Sequence, residues 1–182
     1  MFIQGAQSSK FADVDSNNRV MSDAVSRTKD NFINGESGKV WSLSFRAVDP
    51  VAANDTFLYL KNTGVETLRV TDIRLSSTVT GIAYIKKVSG TPVYVGETAI
   101  AAISRRTSKN PVLQATVNTD TNITGLADIG DYFPMALTAN QQGHLRTSSN
   151  IIIDAGDAIA IEWDTATGIL TGTVSVVENG II

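Results

Sequence analysis

From residue 39 almost to the C-terminus, the chain is a series of short runs in which apolar and polar residues alternate, separated by clusters of Gly, Asn and Asp. In the run 39–46, for example, Trp41, Leu43 and Phe45 alternate with polar or charged side chains. A period of two places successive side chains on opposite faces of a strand. The pattern therefore predicts an all-β fold, and we expect an antiparallel β-sandwich of about eight strands in two sheets.

Turn residues between several of these runs predict how the strands pair. Three pairs of runs are expected to form hairpins because Gly, Asn or Asp stands between them. Within one run the apolar phase changes near Thr71 and Asp72, which indicates a β-bulge or a strand that switches sheets. Residues 96–111 are interpreted as a loop, and residues 118–142 as a long connection with one short strand. The expected hairpins join 56–61 with 66–75, 80–88 with 92–95, and 158–163 with 170–176.

The first 38 residues have a different composition, with too few large apolar side chains to build a core. They are interpreted as a polar, extended N-terminal arm, so the predicted domains are the arm at 1–38 and the sandwich at 39–182. Within the arm, residues 22–32 are compatible with one short amphipathic helix, which would be marginal alone. Segments of this composition gain order on contact with a partner, so the arm is a candidate interaction segment.

Charge and hydropathy exclude several classes of partner. A pI of about 5.1 argues against a nucleic-acid reader. The longest apolar runs span a handful of residues, against about 20 for a membrane helix, so we expect no membrane partner. All charged residues after Arg146 are acidic. This asymmetry hints at an electrostatic partner surface, although the simpler interpretation, solvated loop ends and strand faces, is favoured.

No arrangement of residues typical of catalysis or metal binding stands out. The chain has no cysteine, which excludes disulfides and thiolate metal sites. Asp13 and Asp15 have the alternate spacing of a calcium loop, but Asn18 and Ala24 stand where that loop needs a Gly and a bidentate Glu. His144 is the single histidine, and we expect it at the surface or at a strand start. We therefore expect no enzyme activity, no cofactor and no bound metal.

Two segments carry a family resemblance. DTFLYLKNTG at 55–64, continuing as TLRVTDI at 67–73, and the DAGD turn at 154–157 with the strand pattern after it resemble small virion proteins of tailed bacteriophages. The resemblance implies a jelly-roll-like sandwich and a non-enzymatic capsid decoration, or cement, protein. Such a protein would assemble as a homotrimer and bind the major capsid protein to stabilise the phage head. It would lie on the capsid surface of the virion after assembly in the host cytoplasm.

Within that picture, the arm lies across capsid subunits or swaps between protomers. The basic residues of 105–109 form salt bridges to a neighbouring subunit or are simply solvated. The alternative function is a carbohydrate- or receptor-binding module of a phage tail or head fibre, with a stacking platform drawn from Tyr94, Tyr132, Phe133 or Trp163. Packing beneath the long loop is favoured for Tyr132 and Phe133, and the alternation in 158–163 places Trp163 on the buried face. The candidate partner-binding residues are Phe11, Arg19, Met21, Arg27, Phe32, Arg105, Arg106 and Lys109.

Overall fold

The structure is a computed structural model of the 182-residue chain. The chain divides into two units, Met1–Phe32 and Ile33–Ile182. The arm boundary predicted at residue 38 and the helix predicted over 22–32 lie outside the described residues. The structure describes residues 3–4, 11–14, 20–21, 39–105, 108 and 111–179, with side chains from residue 39 onward except those of 146–150 and 179.

The described residues of the first unit form three short strands. They are β1 (Ile3–Gln4), β2 (Phe11–Val14) and β3 (Val20–Met21). They form a sheet in the order β1-β2-β3, and both pairs are antiparallel.

The second unit consists of strands, as the alternating sequence predicts. Among the residues of this unit that the structure describes, eight strands are long, and three short ones lie in the connection between the fourth and fifth long strands. In chain order the strands are β4 (Val40–Val48), β5 (Asp55–Asn62), β6 (Thr67–Ser77), β7 (Gly81–Val93), β8 (Thr98–Ala99), β9 (Ala102–Ser104), β10 (Ala115–Thr119), β11 (Thr124–Leu137), β12 (Gln142–Ile153), β13 (Ala158–Trp163) and β14 (Leu170–Asn179).

These strands form two antiparallel sheets. The six-stranded sheet has the order β11-β7-β13-β5-β10-β8, and the five-stranded sheet has the order β12-β6-β14-β4-β9. Without the three short strands, each sheet contains four long strands, and the chain changes sheet at every step between consecutive long strands except from β7 to β11. Two sheets of four long strands with such crossovers are the arrangement of a jelly roll. The predicted jelly-roll-like antiparallel sandwich is confirmed.

The three expected hairpins are wrong. The turn at 62–64 carries the chain from β5 in the six-stranded sheet to β6 in the five-stranded sheet, and the turn after β13 makes the same crossing to β14. The expected turn at 89–91 lies inside the single strand β7, where Gly90 has a φ of 98° beside Gly125 of β11. Turn-forming residues indicate a reversal or an irregularity, but they do not determine which sheet receives the next strand.

Strand β11 was missed by the sequence analysis, which expected one short strand in a long connection. It is 14 residues long and forms one edge of the six-stranded sheet. Most of its side chains are exposed, and its pairing with β7 shifts register at three points. An edge strand with bulges lacks a regular apolar face, which removes the signal that reveals a strand. The predicted loop at 96–111 likewise contains β8 and β9.

The predicted bulge in the third run is confirmed. Val70 is opposite Val176 and Asp72 is opposite Ser175, so Thr71 is the extra residue in β6. An extra residue reverses the direction of the following side chains. The apolar residues on both sides of the bulge, Leu68, Val70, Ile73 and Leu75, are therefore all fully buried.

The inner faces of the two sheets pack against each other and form the main core. Trp41 of β4 and Trp163 of β13 are both 0 % exposed, as their alternation predicted. Their indole nitrogens donate hydrogen bonds to the carbonyl oxygens of Pro111 (3.2 Å) and Thr167 (3.0 Å). Large aromatic groups with satisfied polar atoms contribute strongly to core stability.

Removal of the Trp163 side chain tests this core. Trp163→Ala is expected to lower the free energy of unfolding by about 3 to 5 kcal/mol because it leaves a large cavity. The measurement is a urea melt, with Val65→Ala as the control, since Val65 is 90 % exposed and its truncation should change stability by less than about 0.5 kcal/mol. A loss below about 1 kcal/mol for Trp163→Ala would contradict its place in the core.

Candidate functional site

The outer surface of the five-stranded sheet is hydroxylated and positively charged. Its β4 and β14 strands present serines and threonines outward, and the hydroxyls of Ser44 and Thr173 lie 3.1 Å apart. Around this pair, the side chains of Arg46, Arg74 and Arg105 are exposed. We call these three arginines, together with Asp72, the basic face. Because one carboxylate, Asp72, lies beside them, the four groups together carry a formal charge of +2.

Arg105 is the member of the basic face that the sequence analysis selected. Its backbone N–H donates to the carbonyl of Val40 (2.8 Å) and extends the pairing of β9 with β4. Its guanidinium donates from Nε to Ser42 Oγ (3.0 Å) and from Nη2 to Ser175 Oγ (2.6 Å). These bonds hold the cation against the sheet and leave the residue exposed.

Arg74 is held by a carboxylate. Its Nε lies 2.9 Å from Asp72 Oδ2, and His144 Nε2 contacts the other oxygen of the same carboxylate. His144 and Arg74 are opposite each other in the β12–β6 pair. His144 is exposed near the start of β12, as predicted.

The outer surface of the six-stranded sheet carries the opposite charge. Lys86 Nζ lies 2.9 Å from Glu162 Oε2, 3.0 Å from Asp128 Oδ2 and 3.9 Å from Asp131 Oδ1. We call these three carboxylates and their lysine the acidic cluster, which has a formal charge of −2. The Lys86 side chain is 15 % exposed, whereas those of Asp128 and Asp131 are 50 % and 51 % exposed. The carboxylates at the rim therefore remain accessible to a partner.

The ionisation of Lys86 is maintained by its neighbours. Burial lowers the pKa of this ammonium, but hydrogen bonds and Coulombic attraction to Glu162 and Asp128 outweigh burial, and the pKa is raised. The Nζ also lies 5.9 Å from the centre of the Tyr84 ring, within the range of a cation–π contact. The lysine is charged at neutral pH and compensates one of three negative charges.

The acidic residues of the C-terminal quarter lie at several separate sites. Glu162 belongs to the acidic cluster, whereas Asp157 pairs with Lys87 at 2.6 Å. Asp164 accepts a hydrogen bond from the backbone N–H of Ile82 at 2.8 Å. Glu162 therefore contributes to a charged surface, whereas Asp157 and Asp164 hold loop ends and strands in place, and an electrostatic partner surface stays a prediction.

A groove of about 330 Å³ opens between the two sheets, beside the basic face. The β4–β9 pairing ends at Leu43 and Ala102. The groove forms beyond this point, where the chain segment that precedes β9 is separated from β4. At its rim, Ala47 has a φ of 54°, an uncommon value for a residue with a side chain. The lining residues are Ser44, Phe45, Arg46, Ala47, Val48, Asp49, Gly96, Thr98, Ala99, Ile100, Ala101, Thr119, Asp120 and Thr121.

Asp120 holds the loop at the floor of the groove through hydrogen bonds from backbone N–H groups. Its Oδ2 accepts hydrogen bonds from the N–H groups of Val95 (2.5 Å) and Gly96 (2.9 Å), and its Oδ1 accepts one from the N–H of Thr121 (2.6 Å). Burial raises the pKa of this carboxyl, but the three backbone donors outweigh burial, and the pKa is lowered. The carboxylate is occupied as a structural acceptor.

Most of the predicted partner-binding residues lie outside the part of the chain that the structure describes. Phe11 and Met21 are in β2 and β3, of which the structure describes the backbone alone. Their roles stay predictions. The members outside the described residues are Arg19, Arg27, Phe32, Arg106 and Lys109.

The aromatic residues proposed as a sugar-stacking platform do not form an exposed row. Trp163 is fully enclosed, so its assignment to such a platform is wrong. Tyr132 and Phe133 are half-buried and pack against the main core, as their packing interpretation predicted. Tyr94 is half-buried, and its hydroxyl accepts a hydrogen bond from Asn118 Nδ2 at 2.9 Å. The glycan-binding alternative stays a prediction.

Arg46, Arg74 and the acidic cluster were not singled out from the sequence. The available signal was weak: Ser42, Ser44 and Arg46 occupy the polar phase of a strand, as surface residues usually do. Lys86 and Glu162 are 76 residues apart. Their contact depends on the neighbouring positions of β7 and β13, which a single strand pattern does not reveal.

Comparison with known proteins gives no family assignment. The chain matches no protein-family model, no curated protein and no solved structure. Within the described part of the chain, no group of three or more His, Asp or Glu residues is placed to hold a metal ion. The same residues include no helix long and apolar enough to cross a membrane. The two charged surfaces and the fold are therefore the features that bear on the function of this chain.

Replacement of Asp120 tests its role at the groove. Asp120→Asn keeps the shape of the side chain but leaves one acceptor oxygen, whereas the backbone N–H groups bond both oxygens of the wild-type carboxylate. We therefore expect a loss of about 1 to 3 kcal/mol in unfolding free energy at pH 7. The folded pKa is below the ordinary value of 3.8, so the carboxylate's contribution is present above that value and is lost as pH falls through the folded pKa.

The measurement is a urea melt of both proteins at neutral and at acidic pH. The stability difference should be largest at neutral pH and should shrink under acidic conditions. A difference that is equal at both pH values would contradict the ionised-acceptor role. Glu97→Gln is the control, because Glu97 is an exposed acid in the same loop.

Proposed function

We propose that this chain is a non-enzymatic virion structural protein, a capsid decoration or cement protein that self-assembles and binds the major capsid protein. The observation that supports the proposal is the jelly-roll order of the eight long strands, which the sequence resemblance implied. The support is a likeness of fold, and many functions share this fold. The surfaces of the sandwich give the proposal further support.

A protein that clamps a capsid must present rigid surfaces. Here the apolar inner faces of both sheets pack against each other in a continuous core, which fixes the positions of the outer faces. Both outer faces carry charged groups in defined positions, supported by hydrogen bonds such as that from Arg105 to Ser175. Stable attachment to a capsid would bury roughly 1,600 Å² or more.

The edge strand β11 favours docking through faces over strand-to-strand pairing. This strand has register shifts near Gly125, Ile129 and Tyr132, and it contains Pro134. Bulges, prolines and charged side chains on an edge strand prevent another strand from pairing with it. Asp128 and Asp131 add negative charge to the same strand. Assembly would then use the faces and the N-terminal arm.

The solution mass tests self-assembly and the role of the arm. The full chain is expected to form a trimer, because a cement protein of this kind acts as an oligomer. A chain starting at Lys39 is expected to fold but to be monomeric at the same concentration, because the arm supplies part of the contact between subunits. Light scattering after size exclusion measures the mass, and a thermal melt of the shortened chain checks its fold. A monomer in both cases would contradict the proposal.

The location of the protein tests the virion assignment. In phage particles purified from the cell that naturally makes this chain, we expect immunogold label over the head, since decoration proteins lie on the capsid surface. An antibody against residues 39–182 would be used, with particles incubated without that antibody as control. Label at the tail would favour the fibre alternative, and particles without label would contradict a virion role.

A further inference from the structure

The two charged surfaces lie on opposite sides of the sandwich. The basic face is on the outer surface of the five-stranded sheet, and the acidic cluster is on the outer surface of the six-stranded sheet. One has a formal charge of +2 and the other of −2. Each chain therefore carries both halves of a charge-complementary pair, but the two halves cannot meet within one sandwich.

The groups at both surfaces have hydrogen-bonding capacity left for a partner. Lys86 is a single ammonium shared among three carboxylates, and Asp128 and Asp131 are half-exposed. On the other surface, Arg46 is exposed, and its guanidinium has no hydrogen bond or ion pair to any described residue. A guanidinium binds a carboxylate through two parallel hydrogen bonds, which gives a contact both strength and direction.

An exposed isoleucine lies near each charged surface. Ile103 is 65 % exposed and is opposite Ser42 in the β9–β4 pair, so it shares the outer surface with the basic face. Ile129 is 58 % exposed and lies between Asp128 and Asp131 in β11. An apolar side chain beside charged groups adds buried area to an electrostatic contact, which is the usual composition of a protein interface.

We infer that the basic face of one copy of this chain docks on the acidic cluster of a second copy. The inference rests on the proposed self-assembling function and names the surfaces that it would use. Because unlike surfaces meet, the contact is heterologous: every added copy leaves one basic face and one acidic cluster open until a ring closes. Surfaces on opposite sides of the sandwich close a ring only where each copy is rotated against the next.

Charge reversal on either surface tests this contact. Asp131→Lys and Arg46→Glu are each expected to raise the dissociation constant of the full chain by about tenfold or more, because each places like charges in the interface. An equal mixture of the two variants should associate again, since the lysine introduced at position 131 of one variant can pair with the glutamate introduced at position 46 of the other. Sedimentation equilibrium measures all three samples.

Two controls accompany the test. Glu97→Lys changes the net charge as much as Asp131→Lys does, but it lies on neither surface, so association should be unchanged. Raising the salt from about 0.1 M to about 1 M shortens the screening length from about 10 Å to about 3 Å and should weaken the wild-type assembly. Arg46→Glu should fold normally, because Arg46 is exposed, and a thermal melt checks this.

The outcomes separate the inference from the proposed function. An assembly that both reversals leave intact, or a mixture that fails to associate, would overturn the docking mode and leave self-assembly standing. A wild-type chain that is monomeric at all concentrations would overturn both. Loss in each variant with recovery in the mixture would support heterologous docking.

Discussion

The apolar contact between the two sheets is the interaction on which the rest of the structure depends. Trp41 on one sheet and Trp163 on the other are both fully buried, and each indole N–H has a backbone acceptor. Since this contact is supplied by every second residue of most long strands, the alternate residues are available for the outer surfaces. The charged surfaces exist because the core needs none of their side chains.

The fold places the two charges where they cannot cancel. Lys86 and its carboxylates lie on strands β7, β11 and β13 of one sheet, while the arginines lie on or beside strands β4, β6 and β9 of the other. The sandwich is thus polarised across its thickness, in a chain with a formal net charge of −3. Fields of this kind orient partners and give an association its salt dependence.

Sequence analysis recovered the features that depend on neighbours in the chain. The alternation of Trp41 and its neighbours, the bulge at Thr71 and the burial of Trp163 were all predicted correctly, because backbone geometry relates these residues to a face. The hairpins were wrong because a turn such as 62–64 reverses the chain without selecting a sheet. Strand β11 was missed because an exposed edge strand has no regular apolar face.

By itself, the sequence determined the fold class and the polar or apolar phase of most strands, since a period of two is a local property of extended backbone. Only the tertiary structure decided which strands are neighbours, and with them the contact of Lys86 with Glu162 and the grouping of Arg46, Arg74 and Arg105 on one surface. These groups come from strands distant in sequence. Their proximity follows from the crossing of the chain between sheets. That crossing depends on core packing over the whole domain, so no short stretch of the sequence indicates it.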